Sequence, residues 1–230
     1  MENTTMQTAL VTGVSSGIGK AVAERLLEMG FKVYGLSRNV TQTTLEHQHF
    51  TPLPCDLRDS GAIEQAVAAL DKSTLTLLVN AAGFGRFEPH EELSTETITA
   101  MIRINLEAPI LLSNLLLRAL KANQGNIINI TSINGLRGKF GQSNYSAAQA
   151  GKIGLMRSNA RALSRYGVTS NCIAPLASTR MTDRGRGASG EESASAAGTA
   201  RDPRNVAPLL VWLASDEGGV ANGRIFGVSG

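Results

Sequence analysis

The sequence is poor in cysteine, histidine and aromatic side chains, and each shortage closes off a class of function. Its two cysteines, Cys55 and Cys172, stand far apart and without metal-ligand spacing. They read as small buried thiols in a reducing compartment, with a single disulfide as the alternative. The net charge of +3 is scattered, with no basic run interleaved with aromatics, which argues against nucleic acid as a partner. No stretch reaches the ~20 apolar residues that span a bilayer. The N-terminal "MENTTMQTALVTG" runs directly into a strand-like segment, with no basic stretch and apolar core ahead of it. These shortages predict a cytoplasmic globular protein without a metal site or a membrane role.

What is present is an alternation. Apolar runs of strand length, "TALVTG", "KVYGLS", "TLLVNAAG", "NIINITS", "VTSNCIAP" and "RIFGVSG", are separated by longer amphipathic stretches. This pattern predicts an α/β protein, a parallel sheet with crossover helices on both faces, built as one domain over residues 1–230. "GKAVAERLLEMG" has apolar residues at helical spacing and closes on Gly30, and "GAIEQAVAALDK" repeats the pattern. A capping signal, Ser94 followed by Glu96 or Thr97, opens either one long apolar-faced helix or a pair broken at Pro109. A further helix is predicted from near Tyr145 to Gly167. Residues 183–201, "DRGRGASGEESASAAGTAR", contain almost no core formers and read as a mobile lid over a site, or as an inert loop.

"ALVTGVSSGIGKAV" places glycines at 13, 17 and 19 directly after the first strand and at the opening of a helix. Glycines there permit a tight turn and close backbone approach, and the helix start offers N–H groups to a pyrophosphate. The end of the second strand selects the cofactor. An acidic residue would accept from the ribose hydroxyls of NAD and repel a 2′-phosphate, whereas this chain has Ser37 and Arg38, a hydroxyl and a guanidinium suited to that phosphate. NADPH is therefore the expected cofactor and NAD the alternative.

The spacing G-x-x-x-G-x-G, with Thr12 before it, resembles the T-G-x-x-x-G-[IL]-G signature of the short-chain dehydrogenase/reductase family. "PCDL" at Asp56 and Leu57, "NAAG" from Asn80 through Ala81 to Gly83, and "RINLEAP" at Asn105 continue the resemblance in order, and it covers essentially the whole chain. It implies a Rossmann-like doubly wound sheet. It also implies cofactor contacts from Gly13, Ser15, Ser16, Gly17, Ile18 and Gly19, from Asp56 and Leu57 at the adenine, and from Asn80, Ala81 and Gly83 beside the ribose. Pro175 and Thr179 would follow near the nicotinamide amide.

Carbonyl reduction needs a hydride donor, a hydrogen-bond donor to the carbonyl oxygen and a proton for the developing alkoxide. The resemblance implies Ser132 as the donor, Tyr145 as the acid and Asn105 as a structural and water-holding residue. A tyrosine with a pKa of about 10 needs a nearby cation to be useful at neutral pH. Relatives place a lysine four residues on, one turn along the same helical face. This chain reads "YSAAQ", with Gln149 at the lysine position. Gln149 can still hydrogen-bond a ribose hydroxyl but carries no charge. Lys152 lies on nearly the same face but ~10.5 Å from Tyr145 along the axis. An enzyme that binds NADPH and reduces ketones slowly is expected, whether the glutamine was introduced on purpose or is natural.

"IAPLASTRMT" has Leu176 where many relatives have glycine, and it resembles the 3-oxoacyl reductase and hydroxyacyl-CoA dehydrogenase branch. That resemblance implies a 3-oxoacyl thioester substrate, with Phe84, Phe87, Ile133, Leu136 and Met181 on the substrate side. The apolar helices near 98–120 and 145–166 have more nonpolar surface than one sheet face needs, so a homodimer or homotetramer is expected. The rival readings are an NADP(H)-binding sensor without catalysis and a purely interacting subunit.

Overall fold

The computed structural model describes residues 6–40, 43–177 and 196–229. Its strands are β1 (Thr8–Thr12), β2 (Lys32–Ser37), β3 (Phe50–Pro54), β4 (Leu75–Asn80), β5 (Asn126–Ile130), β6 (Thr169–Pro175) and β7 (Ile225–Val228). They form one sheet in the order β3-β2-β1-β4-β5-β6-β7, and every pairing is parallel. β2 and β3 step away from β1 in one direction and β4 to β7 in the other. The strand order therefore reverses between β1 and β4, and in open parallel sheets the crevice for a ligand lies at the carboxyl ends of the strands beside such a reversal.

β1 and β4 are almost wholly buried because helices cover both faces. One face carries α1 (Gly17–Glu28) and α8 (Ala207–Ala214), around a core that includes Val11, Leu26, Val79 and Leu210. On the other, α2 (Ser60–Ala68), α4 (Ala108–Leu115) and α5 (Leu117–Ala122) pack over Leu10, Leu36, Leu78 and Leu112. α3 (Thr95–Ile102), the short α6 (Asn134–Arg137) and α7 (Ser143–Leu163) complete the set. No helix among the described residues is long and apolar enough to cross a membrane. Both cysteines are free and buried, and burial pushes the Cys55 thiol up to about 11 and Cys172 up to about 12.

The Ser94 cap forms as expected, its Oγ accepting the Thr97 N–H at 3.1 Å. The helical stretch behind it is neither one regular helix nor a pair split at Pro109. A π-helical turn, Arg103–Glu107, joins α3 to α4 without a break, and Pro109, the second residue of α4, follows it directly. β3 has no counterpart among the expected strands, because "FTPLP" has prolines at 52 and 54. It lies at the sheet edge and pairs only with β2, where a proline can face away from the ladder. α8 is likewise new, since "APLLVWLA" is too short and uniformly apolar to show a helical stripe. α7 matches its expectation, and a short 3₁₀ turn carries it to Gly167. Of the expected lid over 183–201, residues 196–201 form turns and the rest falls outside the described residues.

Leu78 is fully buried on β4, the strand next to the crevice. Leu78→Ala is expected to lower the unfolding free energy by about 2–5 kcal/mol in chemical denaturation. A loss below ~1 kcal/mol would mean that the core around β4 can collapse onto the gap.

Candidate active site

At the carboxyl end of β1 the backbone turns so sharply that Gly13 adopts φ +80°, and its N–H donates to Leu36 O at 2.7 Å. A Cβ on Gly13 would lie 2.9 Å from Ala82 Cα, and one on Gly19 would lie 2.5 Å from the Gly13 carbonyl oxygen. Both positions require glycine for space, and Gly13 also for its left-handed dihedral angle. Buried Thr12 holds the segment after β4 against this turn: its Oγ1 accepts the N–H groups of Ala81 at 3.0 Å and Ala82 at 2.9 Å. The glycine turn thus lies against the segment Asn80–Gly83. α1 begins within it and has no acidic residue in its first turn, so its N-terminal dipole is open to an anion.

Ser37 ends β2, and the Cys55 N–H donates to Ser37 O at 3.1 Å, which brings Asp56 beside Ser37 and Arg38. The Asp56 carboxyl is held below its usual range, first by hydrogen bonds from the Arg58 side chain and more weakly by the charge of Arg38. Arg58 Nη2 reaches Asp56 Oδ2 at 2.5 Å, so this carboxylate is already paired. Leu57 turns into the core, and Ile18 packs against the core on the α1 face. On β4 and β5, Asn80 Nδ2 donates to Asn129 Oδ1 at 2.9 Å, while Asn80 Oδ1 and Asn129 Nδ2 are buried without partners. Pro175 ends β6 opposite Val228. Thr179 and Met181 lie outside the described residues.

Across the crevice, β5 delivers Ser132 and the start of α7 delivers Tyr145. The Tyr145 hydroxyl engages the side chains of both Ser132 and Gln149. Asn105 occupies the π turn, where Nδ2 donates to Phe84 O at 2.7 Å and to Met101 O at 3.1 Å, and Oδ1 accepts from Phe84 N–H at 3.3 Å. A π turn widens the ladder locally, which is how one helix offers Asn105 both to its own backbone and to the segment after β4. Gln149 Nε2 lies 3.4 Å from Asn105 Oδ1. Gln149 Oε1 is buried and unpartnered. Such an orphan acceptor fits a hydroxyl donor from a bound ribose, and together with the glycine cradle it makes these residues compatible with a dinucleotide.

The electrostatics differ from the geometry. Burial pushes the Tyr145 phenol above its ordinary range, and the hydrogen bonds from Ser132 and Gln149 oppose this only in part. Lys152 does not supply the missing charge. Its Nζ donates to Ile130 O at 2.9 Å inside the core, and no cation acts on the Tyr145 phenol among the described residues. The apolar rim has Phe87, Ile133 and Leu136 exposed, with Phe87 facing Phe140 at 6.2 Å between ring centroids. Phe84 is half-buried and tied to Asn105. Sequence reasoning missed Thr12 and Thr131 as organisers. Thr131 Oγ1 donates to Gln149 O at 3.0 Å; Thr12 was visible only as the first residue of the glycine signature, and Thr131 only as the residue after a strand-like run.

The chain matches the family profile described as short chain dehydrogenase over residues 7–188, and it belongs to that family of oxidoreductases. Among curated proteins it is 34% identical to the 3-oxoacyl-[acyl-carrier-protein] reductase FabG of Vibrio cholerae, over 96% of this chain and 95% of that protein. It is 32% identical to the human (3R)-3-hydroxyacyl-CoA dehydrogenase, with coverage of 96% and 94%. Among solved structures, a variant of actinorhodin polyketide ketoreductase with NADPH superposes with a TM-score of 0.86 at 27% identity, covering 99% of this chain and 97% of that one. A dehydrogenase/reductase from Sinorhizobium meliloti gives 0.82 at 30% identity, covering 96% and 93%.

A phenol ionises near pH ~10 in an unfolded chain. Because Tyr145 ionises higher when folded, the unfolded state sheds its proton first and stability falls as pH rises through that window. In a spectrophotometric titration, the tyrosinate absorbance lost on Tyr145→Phe is expected to be a portion that develops above pH ~10. Loss of a portion that develops well below that would reveal a cation acting on the phenol.

Proposed function

We propose that the protein is an NADPH-dependent carbonyl reductase, with a 3-oxoacyl thioester as first substrate class, and that Gln149 slows it. The observation that carries this reading is the meeting of the Tyr145 phenol with the Ser132 hydroxyl across the crevice from the glycine turn. In this reading the Ser132 hydroxyl donates to the substrate carbonyl oxygen, and the Tyr145 phenol passes its proton to that oxygen as charge develops. Bound NADPH supplies the hydride. The turn containing Gly13, Ser15, Ser16, Gly17, Ile18 and Gly19 holds its phosphates, Ser37 and Arg38 its 2′-phosphate, and Asp56 and Leu57 flank the adenine. Asn80, Ala81 and Gly83 line the ribose, Pro175 and Thr179 the nicotinamide side, and Gln149 accepts from the nicotinamide ribose. The named activities of the curated relatives and the apolar rim at Phe87, Ile133 and Leu136 support an acyl substrate. Exposed Ile98 and Ile110 on α3 and α4 support self-association into a homodimer or homotetramer. The free, buried cysteines fit a cytoplasmic setting.

One observation favours a second reading. With the phenol raised by burial and no cation acting on it among the described residues, the same crevice suits an NADP(H)-binding protein that does not turn over.

The two readings part in one experiment: NADPH-dependent reduction of ketones and 3-oxoacyl thioesters by this protein and by Gln149→Lys. The variant is expected to be faster by ~10², or about 2.7 kcal/mol in the barrier, and Tyr145→Phe to be inactive. If all of them bind NADPH and none reduces any substrate, the binding-protein reading replaces the reductase.

Arg38→Ala is expected to weaken NADPH binding by roughly ten- to a hundredfold, the range for losing charge-assisted hydrogen bonds, with NADH affinity little changed. Equal weakening of both cofactors in fluorescence titrations would remove Arg38 from 2′-phosphate recognition.

A further inference from the structure

Lys152 is among the largest fully buried side chains in the protein, and it lies on the same stripe of α7 as Tyr145, Gln149 and Met156. An ammonium taken out of water without a counter-charge is costly, and a chain retains one only where the geometry compensates. Among the described residues the compensation is one bond, from Nζ to Ile130 O at 2.9 Å. Ile130 ends β5, two residues before Ser132. The next residue, Thr131, is bound to the same helix through its Oγ1 on Gln149 O. Two hydrogen bonds, one charge-assisted, thus tie the strand end that carries Ser132 to the helix that carries Tyr145 and Gln149.

We propose that Lys152 is a positioning residue, whose buried ammonium on the Ile130 carbonyl locks the Ser132 strand end against α7 and sets the Ser132–Tyr145 separation. The inference rests on the reductase reading for its kinetic consequence but not for the clamp itself. Catalytic groups displaced by a fraction of an ångström lose much of their effect, so a bond at the root of both elements acts directly on rate.

The surroundings make the clamp sensitive to pH. Burial lowers Lys152 to about 8, and the Cys172 thiol of β6 opposes this weakly. Cys172, itself pushed up to about 12, is neutral and also feels Arg157 of α7. Its Sγ reaches Lys152 O at 3.9 Å. Arg103 and Glu107 of the π turn packed on α7 are exposed, and no carboxylate among the described residues acts on Lys152. As pH rises through about 8 the bond loses its charge and weakens. The unfolded chain keeps its lysine protonated to higher pH, so fold stability rises over the same window in which the clamp slackens.

The test is Lys152→Met, with Lys152→Leu as a second variant, compared with the wild type from pH 6.5 to 9.5 under the conditions in which reduction is measured. The expected result is a higher melting temperature, unchanged NADPH affinity and a kcat lower by about tenfold or more. The wild type should show a fall in rate near pH 8 that both variants lack. A lysine that merely fills space would leave kcat and the pH profile unchanged, and that outcome overturns the proposal. So does a wild-type profile that is flat through this range. If the wild type and Gln149→Lys reduce nothing while binding NADPH, the reductase reading fails on its own. The clamp is then decided by amide hydrogen exchange of residues 130–134, which must quicken in the variants if the bond is the lock, and stays unchanged if it is not. Should neither variant fold, the wild-type pH dependence of exchange in that segment decides in the same way.

Discussion

Thr12 Oγ1 accepts two backbone N–H groups, those of Ala81 and Ala82, from the segment that leaves β4. Strands β1 and β4 are adjacent, yet their chains depart in opposite directions. These bonds hold the segment after β4 against the glycine turn. With them, Ala82 sits so close to Gly13 that no side chain fits between them, and the two loops become one wall. Asn105 extends that wall by holding both backbone groups of Phe84. This wall is therefore held by two buried side chains, Thr12 and Asn105, on the rigid support of the sheet beneath them.

The opposite wall shows how geometry and electrostatics can separate. α7 brings Tyr145 to Ser132 and carries Gln149 one turn along, where its Oε1 is left unpartnered. The phenol is hydrogen-bonded to both neighbours, yet burial raises it and no charged group among the described residues acts on it. The helix does contain a lysine, three residues beyond Gln149. The helical rotation sends its ammonium into the core at Ile130 and away from the phenol. A charge is worth what its distance and direction allow, and three positions along a helix change both.

Much of this was legible beforehand. The alternation of strand-length runs and amphipathic stretches predicted a parallel α/β sheet, and the glycine spacing with "NAAG" and Asn105 marked the crevice. β3 was not legible, because two prolines argue against a strand unless its place at the edge is known. The π turn was not legible either: "RINLEAP" has ordinary helical spacing, and only the contact with Phe84 explains why the ladder widens there.

By itself the sequence determined what is local: which segments extend or coil, where glycine is the only residue that fits, and that the position one turn past Tyr145 holds no charge. Those properties follow from dihedral preference, side-chain volume and helical period, which need no knowledge of the partner. The tertiary structure alone decided what each polar group meets. Whether Lys152 faces the phenol or a strand carbonyl, whether Asp56 is free or bound to Arg58, and whether Thr12 holds a neighbouring loop depend on distances between elements remote in the chain. Those distances are set by packing across the whole sheet.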